Sequence, residues 1–361
     1  MKARESDTMR RSFHPSRRWL AQSLVPSLLA MLVGCSSLAV SLGLRIRLDR
    51  IPVTALSASL VDKHGAPVVA LGPGQSARLV VVAAASDGKQ YASVGAGHGK
   101  VALDNYTIVA AVVTLGKRGA VSLSPDPRTS DGKVGHLHLV VVAHPTVTAD
   151  LDIPVRYDIA YSADFSGADG TNGFDGTSGL DGSRGADGAP GTTDPVTGAV
   201  SQQGAGGNGT DGSNGSDGGN GGDGSPGQAI HIWVRMQSVT KPLVQVKITG
   251  GGQPSLFLID PNGGSLKIED NGGHGGRGGQ GGRGGRGGSG GSGFPASFSG
   301  TDGRPGSDGR PGSGGAAGII AISVDPAAQP FLRCITWSNR SGDGLEGPSA
   351  KISVEPVAPL W

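Results

Sequence analysis

The chain lacks most of the features by which a sequence declares a chemistry. It contains no GxSxG, HExxH, P-loop or nucleotide-binding fingerprint, so no nucleophile, zinc or phosphate site is written as a motif. Its only two cysteines, Cys35 and Cys334, exclude a disulfide framework. No segment of useful length carries the 3.6-residue period of an amphipathic helix. Proline is scarce where glycine is densest. Only Pro190, Pro226, Pro305 and Pro311 fall within the glycine runs, against the ~15–20% of a collagen.

Glycine is what the chain has instead. Of its 66 glycines, 50 lie between residues 167 and 318, and they are in register. Glycine recurs every third residue over 167–191 and again over 206–227. It fills two positions in three over 272–293 and returns to one in three over 300–318. A period of three belongs to polyproline II, a left-handed helix with no internal hydrogen bonds. Residues three apart share one face, so each run carries a bare glycine face and the third run carries two. Such a face lets a second backbone approach closely enough to satisfy the orphan amides and carbonyls. Disorder would explain the composition, because Gly, Ser, Asp and Asn bury almost nothing, yet a flexible linker has no need of phase. The phase favours a bundle of about four polyglycine II helices within one chain, with a collagen-like homotrimer as an alternative. Gly278, Gly281, Gly284 and Gly287, on one bare face of the third run, are the expected helix-packing glycines.

The GGxGGxGG run beside GxxG runs resembles polyglycine II bundle proteins, among them a glycine-rich antifreeze protein and the receptor-binding tips of some phage tail fibres. It is also similar to glycine-rich, collagen-like surface lipoproteins of bacteria. The resemblance covers about the middle 150 residues and specifies backbone conformation; for function it is weak, because those relatives do unrelated jobs.

Residues 1–34 form a targeting segment. Arg10, Arg11, Arg17 and Arg18 make a basic region, and Leu24 to Val33 an apolar stretch shorter than the ~20 residues of a membrane span. It ends in Leu32-Val33-Gly34-Cys35, which closely resembles the lipobox of bacterial lipoproteins. That resemblance implies lipid attachment at Cys35, export, and an outer-membrane anchor, since Ser36 rather than Asp follows. Ser16-Arg17-Arg18-Trp19-Leu20 is a partial twin-arginine match, leaving Sec and Tat export both open. Cleavage removes six basic and two acidic residues from totals of 31 and 29, leaving 25 and 27. The exported chain is slightly acidic, which excludes the basic footprint of nucleic-acid binding. With Cys35 lipidated, Cys334 has no partner and is expected to pack as a small apolar residue.

After a short tether at 35–43, residues 44–165 read as an all-β domain with seven or eight short strands and turn signals such as Asp87-Gly88 and Asp131-Gly132. The expected strands include Ala77 to Ala84, Thr107 to Leu115, His136 to Ala143 and Ile153 to Tyr161, which suits an immunoglobulin-like β-sandwich. Residues 166–361 form the glycine-rich domain with interleaved strands. One unit occurs twice there: strand, glycine run, connector, glycine run, strand. Tyr157 to Tyr161 and Ala229 to Arg235 bracket the first pair of runs. Ser265 to Glu269 and Ile319 to Val324 bracket the second. Each unit is expected to be a long hairpin, and a 22-residue run at ~3.1 Å per residue spans roughly 70 Å. The connectors, 192–205 and 294–299, then lie together at the far tip, where Phe294 and Phe298 are candidates either for contact with a ligand or for capping the bundle.

The residues between the glycines are patterned as well. Asp169, Asp175, Asp181 and Asp187 recur every six residues in the first run. Asn208, Asp211, Asn214, Asp217, Asn220 and Asp223 alternate every three in the second. His274, Arg277, Gln280, Arg283 and Arg286 line the third. These faces either keep a glycine-rich rod solvated or set which helix neighbours which, through exposed charge pairs of ~0–1 kcal/mol each. The arginines are too few and too strictly phased for an RGG box. His136 and His138 lie on one strand face, where a metal would need a third convergent ligand such as His144. The sequence therefore predicts no enzyme, no catalytic or metal-binding residue, no cofactor and no nucleic-acid partner. It predicts a non-enzymatic, lipid-anchored cell-envelope protein that projects a rigid rod for surface binding or adhesion to a glycan or protein ligand. A structural spacer or matrix component is the alternative.

Overall fold

A computed structural model describes residues 45–361 except Val239. The predicted signal segment, Cys35 and the tether lie outside the described residues. The structure is mostly β, and among the described residues all helices are short 3-10 turns. It divides into two compact units: residues up to Val155, without Asp126–Arg128, and Arg156–Trp361 together with that short piece. The division falls about ten residues before the expected boundary at 165, because the strand preceding the first glycine run pairs within the second unit.

The described residues of the first unit form nine strands: β1 (Val53–Val61), β2 (Pro67–Val68), β3 (Ser76–Ala85), β4 (Gln90–Ala92), β5 (Tyr106–Ala111), β6 (Val113–Leu115), β7 (Ala120–Leu123), β8 (Gly135–Val141) and β9 (His144–Ile153). One sheet runs β2-β1-β3-β7-β6 with β4 beside β3, and the other runs β5-β8-β9. Period-2 alternation sends Leu79, Val81 and Ala83 of β3 and Leu137, Leu139 and Val141 of β8 into one shared core. The expected strand 107–115 is broken at Val112, whose φ of 67° turns the chain from β5 in one sheet to β6 in the other. The expected strand 153–161 is two strand ends: Ile153 closes β9 and Tyr161 lies in the next strand.

The second unit is built on three rungs. Its strands are β10 (Ala160–Asp164), β11 (Ala229–Met236), β12 (Val244–Thr249), β13 (Ser255–Ile259), β14 (Ser265–Glu269), β15 (Ile319–Val324), β16 (Ile335–Ser338) and β17 (Lys351–Val354). β10, β14 and β16 pair in parallel; β11, β15 and β17 do the same in a second sheet, where the β12–β13 hairpin covers the outer edge of β11. Three times the chain leaves the first sheet and returns to the second, from β10 to β11, β14 to β15 and β16 to β17. Ile230, Ile232 and Val234 of β11, Leu266 and Ile268 of β14, and Ile320, Ile322 and Val324 of β15 fill the core of this unit, and Cys334 is buried beside them.

The four glycine runs leave the first two rungs, and their backbones bond to one another. Run 1 (167–191) lies parallel to run 3 (272–293), with Gly170, Gly173 and Gly176 donating to the carbonyls of His274, Arg277 and Gln280. Run 2 (206–227) returns antiparallel to run 1, with Gly207 donating to Ala186 and Gly219 to Phe174, and lies parallel to run 4 (300–318), with Gly212 donating to Thr301 and Gly215 to Arg304. Run 3 also donates to run 2, as from Gly276 to Gly222, and run 4 donates to run 3, as from Gly306 to Gly282. Runs 2 and 3 therefore touch all three other runs, and runs 1 and 4 touch two each. In run 3 both glycines of each triplet face a neighbouring backbone at close range. A Cβ on Gly273 or Gly276 would stand 2.0 Å from a carbonyl of run 1, and one on Gly275 or Gly278 would stand 2.0 Å from a carbonyl of run 4. The separation of paired residues stays near 105 from β10–β14 into runs 1 and 3, and near 90 from β11–β15 into runs 2 and 4, so the sheet register continues into the runs.

Candidate functional site

The two connectors meet at the end of the bundle away from the strands, where the Phe294 amide donates to the Gly204 carbonyl at 3.1 Å. The first connector is a small hairpin. Thr193 bridges Val200, the Asp194 amide donates to Ala199, and Gly198 returns a bond to Asp194. The Asp194 carboxylate accepts from the Val196 amide (2.8 Å) and the Thr197 hydroxyl (2.7 Å). Those bonds, the hydroxyl's first, hold its pKa below the usual carboxylate value. This locks the turn and displays Val196, which is 90% exposed.

The second connector is tied down by its backbone rather than by its rings. The Phe298 amide donates to Asn208 Oδ1 (2.9 Å), its carbonyl accepts from the Gly209 amide, and the Ser297 hydroxyl donates to the Gly291 carbonyl. The side chains of Phe294 and Phe298 remain 65% and 76% exposed, and Val200 of the first connector is exposed as well. Four large apolar side chains thus stand on a fixed backbone at one end of the bundle. The valines carried no signal in the sequence beyond being apolar between turn residues. Phe174 and Leu180, exposed along run 1, were equally missed; an apolar residue at a phased position between glycines has no core to enter.

The expected packing glycines all sit where runs 3 and 4 approach. A Cβ on Gly278, Gly281, Gly284 or Gly287 would lie 2.0–2.1 Å from the carbonyl of Gly309, Gly306, Gly303 or Gly300. The acidic and amide faces join neighbouring runs, but not through the expected charge pairs. Asp169, Asn172, Asp175, Asp181 and Asp187 of run 1 accept hydrogen bonds from backbone amides of run 3, at 2.7–2.9 Å. Asn208 accepts from the Phe298 amide of the second connector, and Asp211, Asn214, Asp217, Asn220 and Asp223 accept from amides of run 4, at 2.6–2.9 Å. These side chains do set neighbours, by capping backbone donors and not by charge pairing. Among the described residues of the runs, the ion pair of Arg184 with Asp187 stays within run 1.

At the root of the bundle Asp270 is fully buried. Its Oδ1 accepts the Gln228 amide at 2.7 Å, while its Oδ2 has no partner, and burial pushes the carboxyl up to about 6. Of the histidines considered for a metal, His136 and His138 both reach Asp150 Oδ1, at 3.3 and 2.7 Å, and His144 lies apart from them. His136 and His138 each bond a cross-strand aspartate of β9, Asp152 and Asp150, at 2.7 Å, and His144 faces the Ile51 carbonyl. Comparison of the chain with protein-family models, with curated proteins and with solved structures finds no match.

Proposed function

We propose that the chain is a non-enzymatic, lipid-anchored envelope protein that presents a rigid glycine-rich rod for binding or adhesion. Its first unit is read as an immunoglobulin-like sandwich. Its four runs are read as polyglycine II helices, a reading supported by the triplet register of their mutual hydrogen bonds. The anchor in this reading is Cys35, which joins the chain to the outer membrane, and the ligand is a surface glycan or protein met at the tip. One observation carries the proposal: Val196, Val200, Phe294 and Phe298 stay largely exposed on connectors whose backbones are tied to the bundle. Exposed apolar side chains on a rigid support are what a contact surface offers, whereas a cap would be expected to bury them.

Changing Phe294 and Phe298 together to serine tests the reading. Adhesion of cells displaying the variant should fall at least about tenfold while the melting temperature of the purified chain stays the same. A lowered melting temperature with intact adhesion would make the phenylalanines a cap and leave the rod a spacer.

A further inference from the structure

The outward face of the β13-β12-β11-β15-β17 sheet carries a cleft of about 360 Å³, near the lower end of small-molecule sites. Trp233 of β11 forms its floor, flanked in register by Lys247 of β12 and Ser323 of β15. The C-terminal strap 355–360 forms its roof. The strap is fixed by the Glu355 amide donating to the Val324 carbonyl (2.9 Å) and the Val357 amide to Asp325 Oδ2 (3.3 Å), with Val357 buried.

The polar groups of the cleft are arranged for charge recognition and not for hydrolysis. The Ser323 hydroxyl donates to Glu355 Oε1 at 2.6 Å, so its oxygen accepts from His231 Nε2–H at 3.0 Å. A serine that gives its proton to a carboxylate and takes one from histidine is not an activated nucleophile. Ser353 adds a second hydroxyl to the same carboxylate oxygen at 3.1 Å. The hydroxyls, that of Ser323 first, hold the Glu355 carboxyl below its usual range, and its other oxygen is left over. Across the cleft the Lys247 ammonium stands 5.7 Å from the Trp233 ring centroid and forms no ion pair among the described residues. The His231 ring is stacked on the indole at 3.9 Å and 9°. The histidine thus occupies a face of the indole on which a sugar ring could otherwise stack.

We propose that this cleft binds a small zwitterion, an apolar α-amino acid or a dipeptide, with its carboxylate at Lys247 and its ammonium at Glu355. The apolar strap, Val357 and Leu360 above all, takes the ligand's side chain. A neutral ligand would leave both charges unanswered, and a purely anionic one would meet Glu355.

Titration calorimetry of the full chain tests this with L-leucine, N-acetyl-leucine, leucine amide and glucose. Leucine should bind at millimolar concentration or tighter, and each blocked form at least about tenfold more weakly. Lys247→Met and Glu355→Gln should each weaken leucine binding by a similar factor at unchanged melting temperature. Should Glu355→Gln loosen the strap and lower the melting temperature, Lys247→Met and the blocked ligands on the wild-type chain still decide. Absence of heat from leucine up to millimolar concentration overturns the proposal. So does equal binding of leucine and its blocked forms, or binding of glucose alone.

Discussion

Asp270 is the residue on which the second unit is most exposed to pH. It sits where β14 becomes run 3, fully buried, with one carboxylate oxygen unpartnered. One rung further on, the same place is taken by Asn339, whose amide donates to the carbonyls of Gly318 (3.1 Å) and Pro348 (2.7 Å). Asp270 can imitate that amide only when protonated. Burial raises its pKa from 3.8 to about 6, so folding favours the protonated form. The associated stability is therefore fully present below pH 3.8 and is lost as pH rises through 6. A rise of that size corresponds to about 3 kcal/mol. Asp270→Asn should accordingly be more stable than wild type at pH 7 in chemical denaturation, with the advantage shrinking towards pH 4. Parallel stability–pH curves for the two proteins would contradict this account of the residue.

At the scale of the element, a glycine run is defined by what lies opposite each position. Gly281 faces run 4, where a Cβ would come 2.1 Å from the Gly306 carbonyl; Gln280, beside it in sequence, is exposed. Gly281→Val should lower stability by about 1–3 kcal/mol through forced separation of the runs, and Gln280→Ala should leave the melting temperature unchanged. Equal, negligible effects would mean that the runs do not pack.

The triplet period made this much legible in advance: which positions must be bare, that the runs pair as hairpins, and that both connectors meet at the tip. The partners of the carboxylates were not legible. A period places Asp217 on a face but does not say that its Oδ1 reaches the Ser307 amide 90 residues away. The third rung was hidden for another reason. Between β16 and β17 the glycine pattern shrinks to Gly342, Gly344 and Gly347, and the chain turns back at Gly344, whose φ is 85°. β9 escaped because its outward row of Thr146, Thr148, Asp150 and Asp152 reads as a loop when the partner strand is unknown.

At the scale of the whole molecule, the reading joins a membrane anchor, a β unit and a glycine bundle in one exported chain. The anchor rests on Leu32-Val33-Gly34-Cys35 following a basic region and a short apolar stretch. Cys35→Ser should move the chain from the membrane fraction to the soluble exported fraction, as followed by fractionation and immunoblot. A variant that stays in membranes to the wild-type extent would remove the lipoprotein reading while leaving the bundle untouched.

The central claim is that the glycine runs form one hydrogen-bonded bundle within a single chain, and amide hydrogen exchange tests it most directly. Gly276, Gly279, Gly282 and Gly285 donate to carbonyls of run 2 at 2.8–2.9 Å, whereas the amides of Gly278 and Gly284 have no acceptor among the described residues. The account predicts slow exchange at the first four and fast exchange at the other two, alternating along a stretch of nearly pure glycine. Uniformly fast exchange across run 3 would contradict it.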